Sequence, residues 1–372
     1  MDTDMNSDLM VVLTGGFIPF IGVLIALTPY LMRKNECFAV TVPKSAAGDP
    51  YLRSLKRAYL ISMLVVTLAF SVLDISLCAT GNAIGAIITM TIATVAICLI
   101  GFALMLFFRQ KVRLHKQGKG WAAAQQEAIA LVGEEDLPKA LSLRWSLLYL
   151  PLMLLTVGVG YLGYDRMPEV LVTHVGLNGQ ADGWMDKSPL VVWMPVLIQA
   201  FLALCMVFSH WTITHSKRAI DPSAPATSAL AYGLFARAQS IFLLAIGLLF
   251  CFLMTAMPLS FMGLLSLGQA AGIILMAALI TVVGAVAISV VYGQGGSRVF
   301  ARLKESDALL ADDDAFWKLG IFYCNPDDPS LFLLERFGIG WTVNWARPAV
   351  WAILVGGLLA TVAFVVVMFA IA

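Results

Sequence analysis

Long apolar runs, separated by short polar stretches rich in turn residues, set the pattern of this chain. Eight runs approach the roughly 20 residues that a helix needs to cross a bilayer core. They cover 9–31, 59–78, 83–108, 146–163, 190–211, 240–259, 267–291 and 349–371. Backbone in lipid is satisfied only by helices or closed barrels, and runs of this length predict helices. The polar stretches then divide the chain. We expect a three-span region at 1–145, a span–loop–span region at 146–211 with a compact polar knot at 164–189, two spans within 212–291, a polar domain at 292–348 and a last span at 349–372. The start has no basic segment and no small-residue cleavage site, so no cleaved leader is expected.

Composition strengthens this reading. Hydrophobic residues make up 60% of the chain, charged residues 13%, and mean hydropathy is +0.87. A soluble domain carries about a quarter charged residues, so the expected class is an all-α integral membrane protein of about eight transmembrane helices. A net charge of +1 gives no bulk attraction to nucleic acid. The basic run RQKVRLHKQGKGW lacks aromatic interleaving beyond Trp121, and reads as a contact with anionic lipid. The six cysteines form no CxxC pair, and most sit in apolar runs as small buried hydrophobes.

Charge sets the expected orientation. With the N-terminus outside, loops 32–58, 109–145, 212–239 and 292–348 face the cytoplasm and carry 22 of the 24 Lys and Arg residues. Arg166 and Lys187 are the two basic residues left outside, and both termini are expected to be extracytoplasmic.

The knot at 164–189 is the longest polar piece expected outside. It contains His174, Asn178-Gly179, Asp182-Gly183-Trp184 and Lys187. Asn-Gly and Asp-Gly favour tight turns because both residues tolerate positive φ, so Gly179 and Gly183 are expected to form turns. His174, Asp182, Trp184 and Lys187 are the expected ligand or partner contacts. His174 and Asp182 alternatively bond within the knot. A metal site would need further ligands from Asp165, Glu169 or Asp186, and no metal is assigned.

The spacing of Pro168, His174, Gly179, Asp182-Gly183-Trp184 and Lys187 resembles the extracytoplasmic motif of SdpI-type bacterial membrane proteins. Val175 and Gly176 stand where that family usually has an aromatic and an Asn. The resemblance implies a location in the bacterial cytoplasmic membrane, and a role in peptide immunity or envelope signalling.

Polar domain 292–348 alternates aromatic and β-branched residues with turn signals at Asn325-Pro326, Asp328-Pro329, Gly338 and Gly340. It predicts two or three short strands at the cytoplasmic face. Trp317, Gly320, Tyr323, Asn325-Pro326, Asp328, Gly340, Trp341, Asn344 and Arg347-Pro348 resemble an uncharacterised domain that often follows the first motif. Trp317, Tyr323 and Trp341 are the expected contacts to a cytoplasmic regulator.

No zinc-protease, nucleophile-elbow, phosphate-loop or paired-aspartate pattern is present in the sequence. GQGGSR lacks the Lys and Ser/Thr of a phosphate loop, and His210 and His215 are badly spaced for a shared metal. A catalytic role and a cofactor are therefore not expected. Within the spans, Asp74 and Gln199 are the candidate functional polar groups. The expected partners are the bilayer, an extracellular peptide and a cytoplasmic regulator. A small-solute transporter or channel subunit is the alternative.

Overall fold

The computed structural model describes residues 2–33, 35–80, 83–121, 137–175, 181–218, 220, 224–303, 313–338 and 340–371. Helices dominate. Among the described residues, seven helical segments are long and apolar enough to cross a membrane, and Gly16–Leu31 is a shorter apolar helix. The protein is a multi-pass α-helical membrane protein. Among the described residues the strands form four two-stranded antiparallel pairs.

The chain divides into two compact units. The first takes the described residues of 1–136, 217–232 and 292–346. The second takes 137–216, 233–291 and 347–372.

In the first unit, α1 (Asp2–Leu31), α2 (Pro50–Ala79) and α3 (Ala83–Gly118) pack side by side. Asp49 caps α2 by accepting from Tyr51 N at 2.8 Å and Leu52 N at 3.2 Å, and Pro50 opens the helix where a missing N–H costs nothing. The buried face of α2 carries Leu52, Leu55, Tyr59 and Met63. These meet Ile18 and Ala26 of α1 and Ala93, Ile97 and Met105 of α3. The α3 helix continues to Gly118, past the apolar run, and carries Arg109 and Lys116 beyond it. The Ala/Gln-rich segment that follows Trp121 lies outside the described residues.

A two-stranded turn follows α1: β1 (Glu36–Cys37) pairs with β2 (Val40–Thr41). Phe38 and Ala39 make the turn with φ of 48° and 56°. Two-residue hairpins favour this left-handed geometry, though glycine and asparagine usually supply it. Here Phe38 is fully buried, 5.2 Å from the Phe108 ring and 5.5 Å from the Tyr59 ring. Packing of the aromatic ring holds the strained backbone.

In the second unit, α4 (Tyr149–Leu162) and α5 (Leu190–Thr214) flank the pair β3 (Val170–Val175) and β4 (Ala181–Asp186). The α4 glycines split in use. A Cβ at Gly160 would overlap Val192, and one at Gly163 would overlap Met262, while Gly158 faces open space. Close approach through small residues is the usual packing of helices in lipid. Helix α6 (Pro225–Met254) starts well before its apolar run, breaks at Thr255 and continues as the short α7 (Ala256–Phe261). The Thr156 and Thr255 hydroxyls meet at 2.9 Å. Helix α8 spans Leu267–Tyr292, and α9 spans Pro348–Ile371.

Candidate functional site

The knot at 164–189 is a short helical turn followed by a β-hairpin. Tyr164–Arg166 forms a 3-10 turn, and β3 and β4 then pair from Val170↔Asp186 to Val175↔Ala181. Alternation along β3 decides the two faces. Leu171 and Met185 point inward onto Met167, Val191 and Met194. Val170, Val172 and Trp184 point outward, with Val172 directly opposite Trp184, which is 56% exposed.

Lys187 fastens the base of the hairpin. Its N–H donates to Glu169 O at 2.8 Å, and its ammonium donates to Met167 O at 2.9 Å. The same ammonium lies 5.2 Å over the Tyr164 ring and 3.6 Å from the exposed Glu169 carboxylate. At 14% side-chain exposure it is committed to these partners. Lys187 is thus a staple at the base of the hairpin.

The expectation for Gly183 is corrected. It is not a turn residue: it lies inside β4 opposite His174, and no positive φ is recorded there. The ladder is irregular on both sides of His174. A glycine in a strand accommodates such a bulge, because it puts no side chain against the displaced backbone. Asn178-Gly179 lies outside the described residues. His174 is paired in the ladder and Asp182 lies within β4, and their side chains lie outside the described parts.

The second polar assembly is in the first unit. Here β5 (Trp317–Lys318) pairs with β6 (Phe322–Tyr323), and β7 (Phe332–Leu334) with β8 (Trp341–Val343). A parallel bridge from Tyr323 to Asn344 joins the two pairs. Asn344 has no exposed surface; its amide donates to Asn325 O at 2.8 Å and Asp328 O at 3.0 Å. Asp328 accepts from the Tyr323 hydroxyl at 2.9 Å and from Lys217 at 2.5 Å. Burial pushes its carboxyl up, but the Lys217 and Ser330 bonds outweigh this and bring it down to about 2.

Trp317 and Tyr323 are 3% and 2% exposed, and together with Leu333 they form the block's own apolar core. Neither presents a surface to a partner, which corrects that expectation. Their ring edges are used internally: Trp317 Nε1 donates to Asp313 at 3.1 Å. Trp341 is half-buried.

Charged residues that periodicity did not single out dominate this assembly. Arg336, 3% exposed, donates to Asp313 and Asp314 and lies 5.0 Å over the Trp317 ring. Asp314 also accepts from Lys116 of α3 at 2.8 Å and from the Thr41 hydroxyl at 2.8 Å. Burial raises the Asp314 carboxyl, but Arg336 and Lys116 overcome it and hold it well below the usual range. Arg109 donates to the carbonyls of Phe38, Ala39 and Trp317. Two arginines thus converge on the strained Phe38-Ala39 turn, since Arg336 also reaches Ala39 O at 3.3 Å. Gly320, with φ of 78°, fits this junction because a Cβ there would come within 2.9 Å of Arg109 Nη1. The sequence signal was weak: the carboxylates that Arg336 meets lie 22 and 23 residues away, and no local spacing marks them as partners.

Inside the spans, Gln199 is fully buried and donates to Cys251 O at 2.7 Å. Asp74 is fully buried on α2. His210 meets Leu141 O at 2.8 Å, and His215 meets Trp211 O at 3.0 Å, so each ring has a protein partner. Among the described residues no group of His, Cys, Asp and Glu is arranged to hold a metal.

Two family models match parts of the chain. A domain of unknown function, DUF1648, matches residues 152–198, which contain the hairpin, most of α4 and the start of α5. This domain is found in SdpI-like membrane proteins. A family of unknown function, DUF5808, matches residues 326–351. No curated protein and no solved structure matches.

Proposed function

We propose that this is a non-enzymatic protein of the bacterial cytoplasmic membrane that meets an extracellular agent through the β3–β4 hairpin. The agent is a secreted peptide or an envelope perturbation. The observation that carries this reading is the division of labour within the hairpin. Leu171, Met185 and Lys187 anchor it, while Val170, Val172 and Trp184 are left exposed. Exposed apolar residues beside an aromatic are the usual seed of a binding hot spot. The match to a domain found in SdpI-like proteins supports immunity or signalling. On this reading the hairpin faces outward, and the Arg336 assembly reports to a cytoplasmic regulator.

The test is growth of deletion and point-mutant strains under a panel of antimicrobial peptides, with a reporter for the neighbouring operon. Deletion should sensitise the cell to at least one peptide or change the reporter, and Trp184→Ala should reproduce the effect without loss of protein. If every sensitivity and the reporter stay unchanged while uptake of a solute collapses, transport replaces this reading.

A further inference from the structure

The buried face of α2 continues past Met63 as a polar column: Thr67, Ser71 and Asp74, spaced by four and three residues. Thr67 donates its hydroxyl to Met63 O at 2.7 Å, and Ser71 donates to Thr67 O at 2.8 Å. Each hydroxyl oxygen therefore keeps acceptor capacity. Asp74 closes the column with no exposed surface, and neither carboxyl oxygen has a hydrogen-bond partner among the described residues. The α1 backbone comes close: a Cβ at Gly22 would overlap Thr67. Ile18, Ala86 and Ala93 are buried in the same three-helix bundle and are apolar.

The three helices of this bundle place no basic residue beside Asp74. Residues 16–31 of α1 and 85–108 of α3 carry no charged side chain, and the first turns of α1 carry only Asp2, Asp4 and Asp8. The nearest basic residue along α2 is Arg57, 17 positions and about 25 Å away. Basic residues of α3 begin at Arg109, beyond Gly101, whose carbonyl accepts from the Tyr59 hydroxyl at the far end of the column. A buried, uncompensated carboxylate costs several kcal/mol.

We propose that Asp74, with the oxygen of Ser71 one turn before it, binds a small monovalent cation, a proton or a sodium ion, inside the α1–α2–α3 bundle. The cation supplies the counter-charge that these three helices lack, and the end of α2 at Ala79 is its nearest route to water.

The experiment uses the full-length protein in zwitterionic nanodiscs. Asp74 is labelled with dicyclohexylcarbodiimide and read by peptide mass spectrometry, in parallel with melting curves. One arm varies pH from about 5.5 to about 8.5 in choline chloride, and the other replaces choline with sodium at fixed pH. A labelling rate that changes about tenfold with pH alone identifies the proton, since tenfold corresponds to one unit of pH. Protection by sodium at fixed pH identifies the metal ion. In either case the melting temperature should follow the same cation, and Asp74→Asn, which keeps the shape and removes the charge, should weaken that dependence to what the other titrating groups contribute. A melting temperature that depends on a cation, with the dependence weakened in Asp74→Asn, supports the site even where labelling is absent. Asp74 unlabelled throughout, or labelled at one rate in every condition, with melting temperatures that respond to each cation as those of Asp74→Asn do, overturns it.

Discussion

Arg336 and Asp314 lie 22 residues apart and form a buried ion pair, and Asp314 carries Lys116 of α3 on its other oxygen. The pair therefore fastens the strand block to the long helix of the same unit. Breaking a buried pair leaves a charge without compensation, which costs about 3–5 kcal/mol, while replacing both partners by apolar groups is often neutral. Arg336→Met and Asp314→Leu should each lower the melting temperature and expose the block to limited proteolysis. The double variant should be less damaged than the two single losses added together. Additive losses would show that the pair is not the fastening.

Glu335 adds a pH dependence to the same assembly. Burial pushes its carboxyl up to about 7, against the backbone N–H of Arg336, which it accepts at 3.2 Å. The sign follows from the raised value. The folded block holds the proton more tightly than the unfolded chain does. Stability is therefore greatest below the ordinary Glu range, declines as pH rises through about 4.5, and has lost this contribution above about 7. The effect is on the order of 1–3 kcal/mol. Glu335→Gln should flatten the melting-temperature profile between these limits. A profile unchanged in the variant would assign the dependence to another group.

The hairpin's two faces should respond differently to truncation. Leu171→Ala and Met185→Ala remove inward side chains and should cost about 2–5 kcal/mol. Trp184→Ala removes an outward one and should leave the melting temperature nearly unchanged. Lys187→Met keeps the stem and loses the bond to Met167 O, a cost of about 1 kcal/mol. Thermal unfolding in detergent measures all four. Equal losses at Leu171 and Trp184 would mean that the outward face is covered.

Much of this architecture was legible in the sequence because lipid imposes simple rules on it. Span length, apolar runs and the need to satisfy every backbone group locate the helices. The polar knot and the strand block were legible from their turn residues. Details that depend on distant partners were not. Asp182-Gly183 reads as a turn locally, yet the alternation of Val170, Leu171 and Val172 makes β3, and β4 must pair with it through Gly183. Trp317 and Tyr323 read as contact aromatics, but a block this small needs them as its core. Arg336, Asp314 and Lys116 are far apart in sequence, and no periodicity brings them together.

The orientation of the spans is the last expectation, and it decides which polar assembly meets which compartment. The basic residues favour the strand block inside and the hairpin outside. Asp186 and Asp327 are exposed positions in the two assemblies, so each accepts a cysteine without burying a thiol. In a background lacking the six native cysteines, Asp186→Cys should react with an impermeant maleimide added to intact cells. Asp327→Cys should react only after the membrane is permeabilised. Permeabilised cells act as the control that both thiols are reachable. The opposite labelling pattern would place the Arg336 assembly outside and the hairpin inside. It would remove the hairpin as a receptor for secreted peptides while leaving the fold, the ion pair and the Asp74 column untouched.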